Sequence, residues 1–492
     1  MREPLHKRMG FIVEQDRRFK GAISYLEEAL VKSNKAEHHA ILKIAQEKLN
    51  RIEGKISEAL QQKNFFSVDE NSYLVENQID SLAEEIRGLK ELLADVAKYG
   101  NYQTPSLDQS HVDQGFQRGT LQYEGSDLSS QYLRFSAAPE NLEAQLHQLV
   151  RLPQGTHGQT FLYGSGMGAL SSITGFALSE VEDANRKMAV GASGYFETQV
   201  QSDMWKRTLP AESIITFDEH EVDGFEKALD QNPQIILTEH VVNTEDLVVV
   251  PIEKIVAHPH EGNGARFIIV DYTMSGPLFD ISKHLPNIGD KDILVLITSL
   301  QKLYQEGDDL VPAGMATVAI NDKSSFSMED IEKHLKSLRG VLGVNVPLDS
   351  IISLKLTNPD FVHSHAEQIA KNVSELADNF SRNNKAVENV YQPPKSSSGE
   401  SEGMVFNIRF SDIPTKERFI SKSLELAVKY GVTLSEGTSF GFRYTRMFTN
   451  RPPADDLNPE TSIVRISPGI ENERQVAVLK RVFEEAVEFL GQ

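Results

Sequence analysis

The chain has 492 residues, of which 39% are hydrophobic and 25% are charged, a composition typical of globular proteins. Its 71 acidic residues outnumber its 50 basic residues, and the formal net charge of −21 argues against nucleic acid or an anionic membrane as a partner. The sequence contains no cysteine, which excludes a disulfide, a thiolate nucleophile and a cysteine metal site, and we predict no metal.

Residues 1–100 have the pattern of a helical extension. Apolar residues recur at every third or fourth position in three stretches, which predicts helices that each bury one face. The stretches are Phe19, Ile23, Leu26 and Leu30; Leu42, Ala45, Leu49, Ile52 and Ile56; and Ile79, Leu82, Ile86, Leu89, Leu93 and Val96. We expect this extension to stabilise the protein or to join subunits, with binding of a partner protein as the alternative.

The N-terminus lacks the apolar core of a signal peptide, and no apolar run reaches the roughly 18 residues that cross a bilayer. We therefore expect a cytoplasmic protein that does not contact a membrane. The first strand-like runs occur well beyond the N-terminal extension, within residues 101–322. There they alternate with helical stretches, which predicts a large α/β domain with a mostly parallel sheet.

Seven apolar runs are the predicted strands of this domain. They are Thr160–Tyr163, Met188–Val190, Ser213–Phe217, Ile235–Thr238, Phe267–Val270, Ile293–Ile297 and Met315–Ile320. Residues 323–492 are predicted to form a smaller α+β domain, with a helix over Ser364–Phe380 and a strand over Val405–Phe410. Ligands of open α/β sheets bind at the carboxyl ends of the strands, so the residues that follow the runs are the candidates for chemistry.

Three features follow predicted strands in chain order. A glycine-rich turn over residues 164–168 leads into a helix whose N-terminus can hold a phosphate. Asp271 directly follows the fifth run and can pair with a pyridinium nitrogen, although such aspartates more often cap a helix or form a turn. Lys302 follows the sixth run and can form a Schiff base if burial lowers its pKa, although a single lysine is by default solvated. Together they meet the needs of an enzyme that uses pyridoxal 5'-phosphate (PLP).

These residues lie within motifs that resemble the Cys/Met-metabolism family of PLP enzymes, which includes cystathionine synthases, cystathionine lyases and methionine γ-lyase. The resemblance covers roughly residues 120–490. It rests on Tyr132-Leu133-Arg134 before Leu142-Glu143, Ser165-Gly166-Met167, Gly194-Tyr195, Glu239 with Asn243, Asp271-Tyr272-Thr273, Ser299 to Lys302 before Gly307-Asp308, Ser439-Phe440-Gly441, and Arg465-Ile466-Ser467-Pro468-Gly469-Ile470-Glu471. No single motif is specific, but the ordered set is.

The resemblance implies fold type I, the aspartate-aminotransferase-like fold, and a role for each matched residue. The implied catalytic residues are Lys302, Tyr195 and Asp271. Lys302 would carry PLP and move protons, Tyr195 would stack on the PLP ring, and Asp271 would pair with the ring nitrogen. The implied cofactor-binding residues are Tyr132, Arg134, Ser165, Gly166, Met167, Tyr195, Asn243, Asp271, Thr273, Ser299, Gln301 and Lys302. The implied substrate-binding residues are Ser439 and Arg465, and a guanidinium suits bidentate binding of an α-carboxylate.

The resemblance also implies a partner subunit and a reaction class. Tyr132 and Arg134 would reach the cofactor of a neighbouring subunit, in a homodimer or homotetramer with shared active sites. The reaction would be β- or γ-elimination, or γ-replacement, on an amino acid through an α-carbanion. A PLP enzyme of another outcome, such as an aminotransferase, decarboxylase or aldolase, stays open. A catalytically silent PLP-fold interaction protein is the third alternative, and the complete set of matched site residues argues against it.

Two departures from the family pattern bear on the pocket. Gln301 replaces the threonine that precedes the family's lysine, which removes a hydroxyl from the phosphate site. Arg443 and Arg446 follow the motif that contains Ser439. They indicate a specialised substrate pocket, unless they only form ion pairs on an acidic surface.

Overall fold

The structure is a computed structural model, and it describes residues 43–55, 81–82, 85–89, 92, 122–123, 126–127, 140–152, 154–181, 186–221, 223–261, 264–284, 288–347, 350–351, 354, 359–380, 386–395, 401–449 and 462–491. The chain divides into two compact units, one of which is made of residues 143–309, 313–344 and 362–492. The other includes the described N-terminal segments. Tyr132 and Arg134 lie outside the described residues.

The large sheet confirms the predicted α/β core. After two short strands, β1 and β2, come the seven strands of this sheet. The bounds are β1 (Gln122–Tyr123), β2 (Ser126–Asp127), β3 (Thr156–Tyr163), β4 (Met188–Gly191), β5 (Ile214–Phe217), β6 (Ile235–Glu239), β7 (Arg266–Asp271), β8 (Asp292–Ser299) and β9 (Gly314–Asn321). The order is β3-β9-β8-β7-β6-β4-β5. Only β9 runs antiparallel to its neighbours, and the other pairings are parallel.

Helices connect these strands and cover the sheet. They are α1 (Glu140–His147), α2 (Gly166–Glu180), α3 (Phe196–Thr208), α4 (Gly224–Leu229), α5 (Ile252–Ala257), α6 (Ile281–His284) and α7 (Met328–Leu342), with 3₁₀ turns at Ala211–Ser213 and Gly276–Leu278. The core lies between the sheet and two of them: Ile173 of α2 and Leu335 of α7 are fully buried in one apolar cluster. Phe176 meets Phe267 edge to face at 5.6 Å there.

The C-terminal part has the predicted α+β character. Its elements are α8 (Pro359–Phe380), β10 (Val387–Tyr391), β11 (Phe406–Phe410), α9 (Ile413–Tyr430), β12 (Ser435–Glu436), β13 (Arg446–Thr449), β14 (Ile463–Ser467) and α10 (Glu473–Leu490). The strands form a five-stranded sheet in the order β10-β11-β14-β13-β12. The rings of Phe380, Phe419 and Phe483 lie 5.4 to 5.9 Å apart and form its core. The domain limits 1–100, 101–322 and 323–492 stay predictions.

The N-terminal segments are described in part. Residues 43–55 are helical, and Ala45, Leu49 and Ile52 are buried as the periodicity predicted. Leu82, Ile86 and Leu89 are also buried, whereas the first predicted helix lies outside the described residues. Among the described helices, none is both long and apolar enough to span a bilayer.

Candidate functional site

The candidate site forms where neighbouring strands of the large sheet end. Asp271 is the last residue of β7, and its direct partner in the adjacent strand is Glu239, the last residue of β6. Ser299 ends β8 beside them, and Lys302 follows in the next turn. Parallel strands end at the same edge of a sheet, so these residues lie together at that edge.

The glycine turn brings backbone close to the ends of β8 and β9. The hydroxyl of Ser165 caps α2 by accepting a 2.9 Å bond from the Gly168 N–H. A Cβ added to Gly166 would lie 3.3 Å from the Cβ of Ser299, and one added to Gly314 would overlap the backbone of Ser165. The first N–H groups of a helix have no intrahelical acceptor, so the start of α2 can bind a phosphate through its backbone. The side chain of Met167 instead packs on the apolar core.

Lys302 occupies a desolvated position. Its Nζ donates a hydrogen bond to the Ser439 hydroxyl and lies 5.7 Å from the ring centroid of Phe440. Burial lowers the pKa of Lys302 below its usual range, while nearby carboxylates oppose the shift. Gly441, at φ +85°, packs so closely on the Lys302 carbonyl that an added Cβ would overlap it. The loop of residues 439–441 therefore fixes the lysine that the sequence had singled out.

Asp271 and Thr273 join the ends of two strands. The Asp271 carboxylate accepts a 2.8 Å bond from the Thr273 N–H. The Thr273 hydroxyl accepts a 3.0 Å bond from the Ser299 N–H. Burial raises the pKa of Asp271, against the hydrogen bonds from Thr273 and the charge of Lys302. A buried carboxylate with a raised pKa is a favourable place for a further cationic group.

Tyr195 immediately precedes α3, at its N-cap position. Its backbone N–H donates to the Glu239 carboxylate. Burial, with the charge of Glu197 next, raises the pKa of Tyr195 to about 12. Its phenol is therefore neutral at physiological pH.

Arg465 projects from β14 and is 3% exposed. Its guanidinium donates to the side-chain oxygen of Asn243, to that of Asn407 at 2.9 Å and to the carbonyl of Thr244 at 3.2 Å. Burial lowers the pKa of Arg465 to about 10, and the charge of Glu239 opposes the shift. Three acceptors thus fix the plane of the guanidinium that the resemblance assigns to the substrate carboxylate.

The residues at which the sequence departs from the family pattern are Gln301, Arg443 and Arg446. Gln301 is partly buried in the turn before Lys302. Arg443 lies 3.8 Å from the buried Asp308 carboxylate, so this is not the ion pair on an acidic surface that the alternative predicted. The guanidinium of Arg446 instead lies 3.4 Å above the ring centroid of Phe442.

Two polar residues of the site had no assigned role in the sequence. Glu239 was part of a matched motif, and its position at a strand end was the available signal. Asn407 interrupts the apolar strand β11, and a buried amide in such a strand needs polar partners. It donates to the carbonyl of Glu245 at 2.6 Å.

No protein-family model matches the chain. Over 431 residues the chain is 24% identical to the bifunctional enzyme flvA of Aspergillus flavus. That match covers 82% of this chain and 47% of the fungal protein, so the chain spans about half the length of this curated relative.

Solved structures match the fold of the chain. Cystathionine γ-synthase of Xanthomonas oryzae pv. oryzae, in complex with aminoacrylate and cysteine, has a TM-score of 0.55 at 15% identity, over 73% of this chain and 88% of that one. CalE6, a methionine γ-lyase of Micromonospora echinospora, has a TM-score of 0.54 at 19% identity, over 73% of this chain and 88% of that one. A proposed O-acetylhomoserine (thiol)-lyase of Campylobacter jejuni subsp. jejuni has a TM-score of 0.52 at 19% identity, over 78% of this chain and 93% of that one. That structure contains a pyridoxyl-lysine monophosphate.

The chain has the PLP fold of type I. The predicted fold and the resemblance to the cystathionine and methionine enzymes are thereby confirmed at the level of fold. Each of these structures is less than 25% identical to the chain, so the likeness shows the fold only. The reaction has to be inferred from the residues of the site.

Proposed function

We propose that the protein is a PLP-dependent enzyme that acts on an amino acid by β- or γ-elimination or by γ-replacement. The observation that carries the proposal is the position of a desolvated Lys302, in the turn after β8, near the buried Asp271 that ends β7, since the charges of the two groups interact. An amine needs a lowered pKa to react at physiological pH. A buried carboxylate needs a cation, and the protonated ring nitrogen of PLP supplies one.

The residues present fit PLP. Asp271 would hold the ring nitrogen, the start of α2 with Ser299 would hold the phosphate, and Asn243 would face the ring hydroxyl. Tyr195 would lie against the ring, with Lys302 as the amine that binds the aldehyde. When bound, PLP supplies an electron sink for bonds broken at the substrate α-carbon.

The protein's own residues would bind the amino acid and move its protons. Arg465 would hold the α-carboxylate, since Asn407 and Thr244 already orient its guanidinium. The Nζ of Lys302 would take the α-proton as general base, and its lowered pKa favours the neutral amine which that step requires. The Ser439 hydroxyl holds this nitrogen in place.

We include a homodimer in the proposal, with Tyr132 and Arg134 contributing to the partner's site. This rests on the resemblance of these residues to a family motif. The compartment is proposed to be the cytoplasm.

The reaction can be tested with the purified protein and a panel of amino acids that carry a leaving group on the β- or γ-carbon. Elimination releases ammonia with a 2-oxo acid or an unsaturated amino acid, and replacement in the presence of a thiol gives a thioether. We expect one of these outcomes, and its loss in Lys302→Ala. Accumulation of pyridoxamine phosphate would instead identify an aminotransferase, and turnover that survives in Lys302→Ala would contradict the proposal.

A further inference from the structure

The buried carboxylate of Glu239 connects two loops. One loop carries Tyr195, and the other carries Asn243, whose side chain accepts a hydrogen bond from Arg465. Glu239 is 9% exposed. One of its oxygens accepts from the Tyr195 N–H, and the other accepts a 3.0 Å bond from the Asn243 N–H. Both oxygens are therefore used, each by a different segment of the chain.

The contact on the tyrosine side leaves no spare room. A Cβ added to Gly194 would lie 2.8 Å from the nearer Glu239 oxygen, so the carboxylate packs directly on the backbone before Tyr195. On the other side, the side chain of Asn243 accepts a hydrogen bond from Arg465. A continuous series of hydrogen bonds thus joins Tyr195, Glu239, Asn243 and Arg465.

Burial of the Glu239 carboxylate beside Asp271 is electrostatically unfavourable. The strand partner of Glu239 is Asp271, and burial, with the charge of Asp271 next, raises the pKa of Glu239 to about 8. Two neighbouring buried carboxyl groups disfavour each other's ionisation. An apolar residue would avoid this cost but would leave two backbone N–H groups without acceptors.

We propose that Glu239 is a positioning residue that sets Tyr195 against the cofactor and Arg465 against the substrate carboxylate at the same time. The inference rests on the proposed function for the roles of those two residues. The hydrogen-bond series itself belongs to the protein without cofactor.

The decisive variant is Glu239→Gln in the full chain. A glutamine side chain has one oxygen and one NH₂ group, so it can accept from only one of the two N–H groups and presents a donor to the other. The matched control is Glu219→Gln. Glu219 is also a partly buried carboxylate and accepts 3.1 Å bonds from Ala192 and Ser193 in the tyrosine loop.

The first readout is amide hydrogen exchange of the cofactor-free protein. At a pH above 8, where the Glu239 carboxyl group is ionised, we expect Glu239→Gln to make the peptide with Tyr195, the peptide with Asn243, or both, exchange roughly tenfold faster or more, as expected for a lost charged hydrogen bond. In Glu219→Gln both peptides should exchange like the wild type, because Ala192 and Ser193 donate to the same oxygen and a glutamine oxygen can accept both bonds. Unchanged exchange at both segments in Glu239→Gln would overturn the proposal, whether or not the protein binds PLP.

The second readout separates positioning from general stability. At the same pH we expect Glu239→Gln to raise the Kd of PLP if the Tyr195 peptide exchanges faster, and the Kd of a bound amino acid if the Asn243 peptide exchanges faster, by roughly tenfold in each case. The melting temperature should fall little, because removal of a buried charge offsets the lost hydrogen bond. Glu219→Gln should leave both Kd values unchanged. Faster exchange at a segment without weaker binding of its ligand would overturn the positioning role. A wild-type protein that binds no PLP would instead refute the proposed function, and exchange would still decide the positioning role.

A second variant keeps the test valid if Glu239→Gln does not fold. Asn243→Ala retains the backbone N–H that donates to Glu239 but removes one of the three acceptors of Arg465. We expect weaker binding of the amino acid and unchanged exchange at Tyr195. Faster exchange at Tyr195 in this variant would overturn the proposal, because the tyrosine would then depend on Arg465 rather than on Glu239.

Discussion

At the scale of single residues, Arg465 shows why a conservative change can be severe. Its planar guanidinium donates to three acceptors in fixed directions, and a lysine ammonium cannot reproduce that geometry. We expect Arg465→Lys to weaken binding of the amino acid by about 30- to 100-fold, equivalent to about 2–3 kcal/mol, with little change in PLP affinity. Titration of the PLP absorbance with an amino acid measures both.

Arg409 provides a matched control for this prediction. It lies on β11, adjacent to β14, and its partly exposed guanidinium pairs with Glu245. A surface ion pair contributes little, so Arg409→Lys should bind the amino acid like the wild type. Equal losses in the two variants would mean that Arg465 acts through the stability of the sheet and not through the substrate.

Residues of the candidate site could be predicted from the sequence where a local pattern fixes their position in the fold. Asp271 and Lys302 each follow an apolar run, and that position alone places them at the ligand-binding edge of a parallel sheet. The contact of Asn243 with Arg465 joins residues 222 positions apart. No local pattern predicts such a contact, and Asn407 and Glu239 were recognised as site residues only once their partners were in place.

At the scale of secondary-structure elements, the junction of α2 with β9 depends on the absence of side chains. Gly314 starts β9 where the backbone of Ser165 and Gly166 would overlap any added Cβ. We expect Gly314→Ala to lower the free energy of unfolding by about 2–4 kcal/mol, because backbone cannot move aside as a flexible side chain can. It should also weaken PLP binding, since the start of α2 would shift. Urea denaturation and PLP titration test these effects.

Gly175, in the middle of α2, is the control. A Cβ there would meet only Leu338 at 3.7 Å, an ordinary contact. Alanine favours a helix over glycine by about 1 kcal/mol, so Gly175→Ala should be neutral or stabilising. If Gly314→Ala were equally well tolerated, the close approach of the two backbones would not be a constraint on the site.

The strands were predicted more reliably than their directions. Each apolar run corresponds to a strand, with small differences at the ends: β5 starts at Ile214 because residues 211–213 form a 3₁₀ turn. The run at Met315–Ile320 is apolar like the runs of the parallel strands β6, β7 and β8, so nothing in the run shows that β9 is antiparallel to β3 and β8. Strand direction depends on the connections, which an apolar run does not specify.

At the scale of the whole molecule, α3 presents an apolar stripe to solvent. Phe196, Val200 and Met204 are spaced by four residues on one face and are 40%, 55% and 61% exposed. The stripe begins directly after Tyr195, so it borders the site that the proposed second subunit would complete. A stripe of this kind next to the proposed shared site suits a second copy of the chain.

Charge substitution within this stripe tests the dimer. We expect Val200→Glu with Met204→Glu to convert a dimer to a monomer in light scattering, with reduced PLP retention because Tyr132 and Arg134 of the partner would be lost. The control is Val428→Glu, since Val428 is 84% exposed on α9 and should leave the dimer intact. A double variant that remains dimeric would assign the interface to another surface, with residues 1–100 as the next region to test.

The central claim is that Lys302 binds PLP. It is tested by the absorption spectrum of the 492-residue protein after incubation with PLP, before and after borohydride reduction, followed by mass mapping of the reduced peptide. We expect a yellow protein, a band that disappears on reduction, and a phosphopyridoxyl adduct on Lys302. An adduct on another lysine would show that Lys302 does not bind PLP. A protein that stays colourless with PLP would favour a catalytically silent protein of this fold.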